Sequence, residues 1–459
     1  MTTAQASLRK GWCPGALRPM ETGDGLLVRV RPRAGQFSIA ALKVIAGTAT
    51  RYGSGEIDLT NRANLQLRGL SGVTWPGAIA ELNAAGLLDE TAAIEAVRNV
   101  TVDPLCGIDP QRANLRPLAA VLEVRLAQDT LLHSLPGKFG FGFSGVRAAS
   151  DQMATDINIC AHDQDTCAIW LNGDASRHAV IGHTDAIDAT VRLAAAFLNI
   201  QSQHANVRRM RDAVALIGSP ALFAAAGLEC FREKCERFSR QEARPNKELG
   251  SFHDSTRTGT TLEAVTAAGT PGANDPSYAG ILGDGTSPFA VGIGLPFGRI
   301  AAEALQNLCD LSAHLGCTQV HPSQHRTLVI PVHDRAAAVA LIAHARDANL
   351  ITHEGDPRHA MDVCPGAPAC RNGTANTRAD AQRLAAEFGA SGSLMPTIHI
   401  SGCEKGCARH TPATLTFVAR DGAYAMIANG PVDGHATLAG IAPQDLAATA
   451  IRWLAERAP

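Results

Sequence analysis

Apolar and polar residues first form a regular pattern at Leu26–Arg31, where they alternate as expected for a strand with one buried face. A Gly/Pro turn follows and leads into an amphipathic helix with apolar residues at helical spacing. Two further short stretches, Glu56–Asp58 and Asn64–Arg68, predict two more strands, and Trp75–Ala85 predicts a second helix. The order strand–helix–strand–strand–helix is most of a ferredoxin-like α+β unit.

The same pattern occurs a second time, because residues 287–316 align with residues 24–53 without a gap. Leu42 aligns with Leu305, and the register persists downstream. The second copy predicts strands and a helix at Phe289–Leu295, Gln319–His321, Thr327–Val332 and Ala336–Ala348. The alternative is a generic alanine-rich strand–helix texture in both stretches, but the long ungapped match favours duplication. We call the two copies A and A′.

A second pair of segments repeats in the same order. Residues 168–180 resemble residues 425–437, and each is followed by a predicted helix, near 185–200 and 443–456. We call these copies B and B′, so the order A–B–A′–B′ predicts a duplicated α+β fold with pseudo-two-fold symmetry. The predicted segments are A at 1–128, B at 129–286 including a long loop at about 240–286, A′ at 287–361 and B′ at 362–459.

Composition and charge exclude several classes of protein. The 459 residues suggest roughly two to four domains, and the formal net charge of -2 gives no electrostatic basis for binding nucleic acid. No run of eighteen or more apolar residues predicts a membrane span, and the N-terminal residues lack the apolar core of a signal peptide. We therefore expect a cytoplasmic protein, in which the twelve cysteines stay reduced and clustered ones bind metal.

Four cysteines in the last quarter of the chain have the spacing of a metal site. Cys364 and Cys370 form C-x5-C, and Cys403 and Cys407 form C-x3-C after 32 intervening residues. Four thiolates are what a [4Fe–4S] cubane needs, one for each iron. Zinc also takes four cysteines, usually in C-x2–4-C pairs, and buried structural thiols are the third interpretation. Other cysteines, such as Cys13, lack a metal-like grouping and are interpreted as core thiols.

These cysteines, on an A–B–A′–B′ duplication, resemble the sulfite and nitrite reductase family over roughly residues 20–459. The resemblance implies ferredoxin-like half-domains, a [4Fe–4S] cluster, and a last cysteine, Cys407, that bridges the cluster to sirohaem iron. The family's basic first strand and its T-N-R-x-x-x-Q, R-N-V and L-P-x-K-F motifs are present. They imply substrate-binding roles for Arg29, Arg31, Thr60, Asn61, Arg62, Gln66, Arg98 and Lys138.

One position departs from the reductase pattern. The reductases have a second lysine two positions after the pocket lysine, and this chain has Gly140 there. Sulfite and nitrite reduction need dense positive charge around a small oxyanion, so this departure argues against those activities. In A′, Gly292 and Gly294 stand opposite the two strand arginines of A, and only B′ carries the cysteine motif. This division predicts one active site at the interface between the copies.

The N-terminal segment CPGALRPMETGDGLLVRV is similar to one branch of this family, the tetrapyrrole monooxygenases of aerobic cobalamin biosynthesis. That resemblance implies NADH- and O2-dependent hydroxylation of precorrin-3A, with a [4Fe–4S] cluster and a mononuclear non-haem iron in place of sirohaem. Arginine and lysine suit the carboxylates of this substrate. The alternatives are a sirohaem-dependent sulfite or nitrite reductase and a non-catalytic electron carrier, which would need no basic pocket.

Electron supply and iron ligation are less well determined. Gly140, Gly142 and Gly145 spell G-x-G-x-x-G, but the motif does not open a helix after a strand and predicts no flavin or nicotinamide site. We therefore expect an external electron donor, a reductase or a ferredoxin. Two histidines and a carboxylate are the usual non-haem iron ligands, but no spacing selects them, and no side chain is assigned a catalytic role. The candidate histidines are His321, His325, His399 and His410.

Overall fold

The computed structural model describes residues 13–146, 153, 155–232, 278–283, 287–391 and 396–457. Most of the predicted long loop at about 240–286 lies outside these residues. The described chain is an α+β fold in which helices flank four sheets. The sheets form two similar pairs in chain order, which confirms the predicted duplicated architecture.

The first sheet contains the strands of copy A. Its order is Met20–Thr22, Gly25–Val30, Leu65–Leu70, Glu56–Leu59 and Arg299–Ala301. One face is apolar, and Val28 and Leu67 are fully buried there. Helices Ile39–Tyr52 and Trp75–Ala84 contribute their apolar side chains to the same core. This burial leaves the opposite face of the sheet for polar side chains, since successive residues of a strand alternate between faces.

The third sheet contains the strands of copy A′. Its order is Gly280–Gly283, Pro288–Gly294, Thr327–Pro331, Gln319–Pro322 and Phe37–Ser38. Each copy thus lends a strand to the other: Phe37–Ser38 of A joins this sheet, and Arg299–Ala301 of A′ joins the first sheet. The two lent strands align in the repeat, so the exchange follows the pseudo-two-fold symmetry.

One apolar core joins the two copies. Helix Ile39–Tyr52 of A packs against helix Ala302–His314 of A′, its partner in the repeat. Helix Arg335–Asp347 completes the A′ unit, and buried side chains of all these elements form a single cluster. The shared core makes A and A′ one body with a pseudo-two-fold axis between the paired helices.

The second and fourth sheets belong to B and B′ and share one strand pattern. The second sheet has the order Phe231–Arg232, Asp174–Gly182, Thr166–Leu171, Ile157–Ala161, Phe141–Ser144 and Val100–Val102. The fourth has the order Met361–Val363, Ile398–Ser401, Ala413–Arg420, Ala423–Gly430 and Leu438–Ile441. In each, the first three strands along the chain are parallel and later neighbours are antiparallel. The carboxyl ends of those parallel strands therefore meet at one edge.

The remaining helices cover the second and fourth sheets. The α-helices are Ala92–Val97, Arg116–Gln128, Ala186–Gln203, Met210–Ile217, Ser219–Ala225, Thr377–Ser391 and Leu446–Ala455. Single 3-10 turns occur at Leu132–Ser134, Pro296–Gly298, Pro357–Ala360 and Pro443–Asp445. Strand Val100–Val102 and helix Arg116–Gln128, which the predicted boundary at 128 gives to A, lie in the second sheet and its core. None of the helices in the described ranges has the length and apolar character to cross a membrane.

Candidate functional site

The four clustered cysteines lie on two loops at one edge of the fourth sheet. The first two follow strand Met361–Val363, and the last two follow strand Ile398–Ser401. These strands are parallel neighbours, so the two loops leave the sheet side by side. The Gly402 N–H donates to the Cys364 sulfur at 3.1 Å, and the Thr374 N–H donates to the Gly402 carbonyl at 3.0 Å. Backbone hydrogen bonds thus hold the loops together.

Three glycines allow the two loops to approach at backbone contact. A Cβ on Gly373 would lie 2.8 Å from the carbonyl carbon of Gly366. A Cβ on Gly402 would lie 3.2 Å from the Gly366 Cα and 3.3 Å from the Gly373 Cα. Gly366 also has a φ of +63°, which L side chains rarely adopt. A side chain at these positions would push apart the loops and the thiols that they carry.

The four thiols lie close enough together to interact electrostatically. Cys364 is buried, Cys370 and Cys403 are half-buried, and Cys407 is exposed. Desolvation of the sulfur and the charges of the other three thiols raise the pKa of Cys407 to about 11, against an opposing effect of Lys405. Desolvation also raises the pKa of Cys403, while a hydrogen bond from the Lys405 N–H lowers it. Backbone N–H groups therefore donate to two sulfurs, an interaction that tunes iron–sulfur clusters.

This donor set fits a [4Fe–4S] cluster better than a single ion. Across the described ranges, no three His, Cys, Asp or Glu side chains are arranged to hold one metal ion. A tetrahedral zinc site would draw all its sulfurs to ~2.3 Å from one ion. A cubane binds one thiolate on each of its four irons, so its four cysteine sulfurs lie farther apart than the sulfurs around one ion. Four neighbouring thiols, two of which accept hydrogen bonds from backbone N–H groups, meet that need.

The charged face of the first sheet lies beside these loops. Arg29, Gln66, Asp58 and Arg299 are opposite one another on four adjacent strands, so their side chains share this face. Arg299 donates to both oxygens of Asp58, at 2.7 and 3.1 Å, and Arg378 donates to one of them at 2.9 Å. Desolvation opposes ionisation of Asp58, but the arginines hold its pKa at about 2. Asp58 is therefore a carboxylate that ties A to the helix following the first cysteine loop.

Asp58→Asn is expected to destabilise the fold at neutral pH, because it removes a buried carboxylate from the half-buried Arg299 and Arg378. Breaking a buried ion pair costs about 3–5 kcal/mol. The folded-state pKa of Asp58, about 2, is below its ordinary value of 3.8, so the contribution is present above pH 3.8 and is lost as the pH falls toward 2. Chemical denaturation should separate variant from wild type at pH 7, and the separation should shrink below pH 4.

A matched control for this variant is Asp188→Asn. Asp188 pairs with Arg125 at 2.6 Å, but both side chains are more than a third exposed. Its loss should cost less than about 1 kcal/mol. Denaturation curves of Asp58→Asn and wild type that coincide at pH 7 would show that Arg299 and Arg378 do not need this carboxylate.

Arg31 and Glu95 form a buried pair beside the charged face. Arg31 is 4% exposed, and its Nη1 lies 3.3 Å from the Glu95 carboxylate. Desolvation, and then the charge of Arg29, lower the pKa of Arg31 to about 10. Glu95 also accepts hydrogen bonds from the N–H groups of Ala16 and Leu17, which fixes the N-terminal segment beside Arg31. The Arg31 Nε is buried and has no hydrogen-bond partner within the described part of the chain.

Arg98 is already committed to partners in its own chain. It is 3% exposed, and it donates to both Asp89 oxygens at 2.9 and 3.1 Å and to the Pro32 carbonyl at 2.9 Å. The neighbouring Asn99 amide donates to the Phe139 carbonyl at 3.1 Å. These contacts hold Arg98 and Asn99 in place, and a direct contact of Arg98 with substrate stays a prediction.

Arg62 contacts the L-P-x-K-F segment, and Arg29 lies close enough to Arg62 for their charges to interact. The Arg62 Nη2 donates to the Lys138 carbonyl at 3.1 Å. Burial lowers the pKa of both arginines, and the Cys13 thiol, which is hydrogen-bonded to Arg29, opposes that shift. Cys13 is half-buried in this position, which corrects the interpretation of it as a core thiol. The Arg29 Nε is buried and has no hydrogen-bond partner among the described residues.

The T-N-R motif forms the turn that presents Arg62. The Thr60 hydroxyl accepts hydrogen bonds from the N–H groups of Arg62 at 3.3 Å and Asn64 at 3.2 Å. Asn61 is exposed at the tip of the turn. Thr60 thus shapes the turn, while Asn61 and Arg62 project from it.

The charged face of A adjoins the first cysteine loop of B′. Arg68 lies two positions after Gln66 on the same strand and donates to the Ala369 carbonyl at 2.7 Å. Ala369 immediately precedes Cys370. The A-copy cations and the B′ cysteines therefore meet at one interface between the copies.

The candidate iron histidines do not assemble into a metal site. The His321 Nδ1 lies 2.9 Å from the Pro104 carbonyl and 2.8 Å from Arg116, and desolvation lowers its pKa to about 3. His399 is fully buried beside Asp362, where desolvation lowers its pKa to about 4. Both Asp362 oxygens are paired with arginines, which leaves neither for a metal. The His325 ring lies against a tyrosine ring. His410 interacts with His399. Within the described ranges no three His, Cys, Asp or Glu side chains form a metal site, so the ligands of the mononuclear iron that the resemblance implies stay unassigned.

Comparisons with known proteins agree with this geometry. The family described as nitrite/sulfite reductase ferredoxin-like half domain matches residues 18–85. A precorrin-3B synthase of Sinorhizobium sp is 32% identical over 438 residues, which cover 94% of this chain and 85% of that protein. A ferredoxin–nitrite reductase of Synechococcus elongatus is 25% identical, over 98% of this chain and 89% of that protein. The solved structure of the NirA protein of Mycobacterium tuberculosis superposes with a TM-score of 0.71 at 18% identity, covering 94% of this chain and 80% of that one.

Proposed function

Because this chain belongs to the family of precorrin-3B synthase and the ferredoxin-dependent nitrite and sulfite reductases, we propose that it hydroxylates precorrin-3A to precorrin-3B in cobalamin biosynthesis. The single observation that carries the proposal is the nearly full-length likeness to a precorrin-3B synthase. Gly140, in place of the second reductase lysine, supports it from the residues of the pocket. The oxygen atom comes from O2, and the reducing equivalents come from NADH through an external reductase or ferredoxin.

Substrate binding is assigned to the basic pocket of A. Precorrin-3A carries several carboxylates, and guanidinium groups bind carboxylates through two parallel hydrogen bonds. Arg29 and Arg31 each have a buried Nε without a protein partner in the described ranges, so a substrate carboxylate can take these donors. Arg62 and Lys138 extend the cationic surface along the L-P-x-K-F segment. Gln66 and Asn61 add neutral donors at its edge.

Electron storage is assigned to a [4Fe–4S] cluster on Cys364, Cys370, Cys403 and Cys407. The cluster would supply one-electron redox chemistry when bound. The protein's part is to hold the four sulfurs in place through the three-glycine contact and to donate N–H groups to two of them. The loop contact with Arg68 brings these thiols next to the basic face of A. The proposed role of the cluster in electron storage does not depend on the mononuclear iron.

Purified protein is expected to show broad brown cluster absorbance without the sharp bands of sirohaem. Only one lysine stands in the L-P-x-K-F segment, and Gly140 contributes no cation to a bound oxyanion. Anaerobic purification, iron and sulfide analysis, and an absorbance spectrum measure this directly. Incubation with precorrin-3A, O2 and a reductant should give a product heavier by one oxygen atom, and no such product should form without O2. Stoichiometric sirohaem with sulfite or nitrite reduction would instead support the reductase alternative.

A further inference from the structure

The first hairpin of A is seated directly on the loop that carries Cys370. The Gly23 N–H and the Arg68 Nη2 both donate to the Ala369 carbonyl, at 3.2 and 2.7 Å. A Cβ on Gly23 would collide with the Pro368 carbonyl and lie 3.1 Å from the Cys370 nitrogen. The hairpin therefore touches the backbone of the peptide next to a cluster cysteine, with no space between them.

Arg68 has only one orientation that satisfies its neighbours. It is 2% exposed, and its Nε and Nη2 donate to the two oxygens of Asp24 at 2.8 and 2.9 Å. Its Nη1 lies 3.6 Å from Asp58. Desolvation opposes ionisation of Asp24, but the Arg68 hydrogen bond is the main effect that lowers its pKa. The two-pronged ion pair thus fixes the guanidinium plane and aims Nη2 at the Ala369 carbonyl.

The other half of the duplication does not keep this pair. In the ungapped register, Ser287 stands in A′ where Asp24 stands in A, and Pro331 stands where Arg68 stands. Pro331 has no side-chain donor and cannot make either contact. The strands of A′ nevertheless form the same sheet. The fold itself does not require the ion pair, which is present only in the copy that faces the cysteine loop.

We propose that Asp24 and Arg68 are positioning residues for Cys370 and set the charge beside the cluster. The assignment rests on the proposed function, in that the loop is taken to hold a [4Fe–4S] cluster. Arg68 fixes the Ala369–Cys370 peptide, so the thiol is held where the cluster needs it. Reduction adds an electron to the cluster, and a buried guanidinium nearby favours the reduced form.

Arg68→Met and Asp24→Asn separate the two effects. Both variants loosen the loop, so Cys370 in cluster-free protein should be alkylated by iodoacetamide at least fivefold faster than in wild type. Their effects on the cluster have opposite signs: Arg68→Met removes a positive charge, and Asp24→Asn removes a negative one. For Arg68→Met, we expect about a tenfold lower ratio of reduced to oxidised cluster at a fixed potential, a fall of ~59 mV for one electron. Asp24→Asn should raise the potential.

Conservative and exposed-site variants complete the test. Arg68→Lys keeps the charge but not the fork, so it should restore most of the potential and only part of the protection of Cys370. Arg371→Ala is the matched control, because Arg371 links the same loop to the same hairpin through Glu21 at 3.3 Å, with both side chains about two-thirds exposed. It should change neither readout.

The readouts are a redox titration followed by electron paramagnetic resonance and mass spectrometry of alkylated Cys370. Wild-type alkylation rates in both Arg68→Met and Asp24→Asn would overturn the positioning role. A potential that moves in the same direction in both variants would overturn the electrostatic role. A wild-type protein that never binds a cluster would refute the proposed function instead, and the alkylation rates would still judge the positioning of Cys370. If Arg68→Met fails to fold, Asp24→Asn carries both measurements: a wild-type alkylation rate would overturn the positioning role, and an unchanged or lower potential would overturn the electrostatic role.

Discussion

Replacing Cys370 or Cys403 with serine is expected to abolish the [4Fe–4S] cluster. Each residue is one of the four proposed ligands, and the two lie on different loops that meet at the three-glycine contact. A serine hydroxyl stays protonated at neutral pH and is a far poorer iron ligand than a thiolate. Iron and sulfide analysis of the purified variants, with the visible absorbance, should show that nearly all of the cluster is lost. Thermal stability should fall with it, because binding such a group is coupled to folding.

Cys106→Ser is the control for this prediction. Cys106 is buried on the loop after the first strand of B, the place that corresponds to the first cysteine loop in B′. Its sulfur accepts a hydrogen bond from the Leu115 N–H at 3.1 Å, an interaction that serine can also make. The variant should therefore keep its iron and sulfide. Four irons and four sulfides in both Cys370→Ser and Cys403→Ser would refute the ligand assignment.

Much of the fold follows from the repeat, but the exchange of strands does not. The ungapped alignment of A with A′ already implies two equal sheets and paired helices. The lent strand Phe37–Ser38 has only two residues, too few for an alternating pattern to be recognised. Its partner, Gln319–Pro322, belongs to the other copy, so its pairing is decided by tertiary packing rather than by local sequence. In A′, strand Arg299–Ala301 has only three residues and pairs with a strand of A, so local sequence does not predict its pairing either.

The candidate site was also predictable only in part. Alternation along the strands places Arg29 and Gln66 on one face, and the same period could have added Asp58 and Arg68. Glu95 gave no such signal, because it lies on a short helix and meets Arg31 only in the folded chain. A sequence pattern shows only residue types, whereas an ion pair depends on which helices and strands pack together in the folded chain.

Arg116 and Arg378 occupy equivalent positions in B and B′. The sequence A-N-x-R occurs at residues 113–116 and again at residues 375–378. In B its arginine contacts His321, and in B′ its arginine contacts Asp58, the residue aligned with that histidine. The duplication thus keeps the arginine and changes its partner from a neutral ring to a carboxylate. The carboxylate is the partner of the arginine in B′, the copy that carries the cysteine motif.

Arg62→Ala is expected to weaken tetrapyrrole binding by about tenfold to a hundredfold, because a buried charge-assisted contact is worth roughly 1.5–3 kcal/mol. Arg62 projects from its turn into the region of Arg29 and Lys138, and burial already lowers its pKa. A carboxylate of the substrate would replace the water that this guanidinium has lost. Tetrapyrrole affinity, measured by fluorescence quenching or calorimetry on protein of known iron content, gives the result directly.

Two variants determine what such a loss means. Arg62→Lys should recover only part of the affinity, since one ammonium group cannot form the two parallel hydrogen bonds of a guanidinium. Arg51→Ala removes an exposed arginine of copy A that pairs with Glu81, and it should bind substrate normally. Cluster content should be unchanged in all three, because the cysteines belong to B′. If Arg62→Ala binds tetrapyrrole as wild type does, the basic face of A is not the substrate pocket. If it loses its cluster as well, the charged copy and the metallated copy do not have separate tasks.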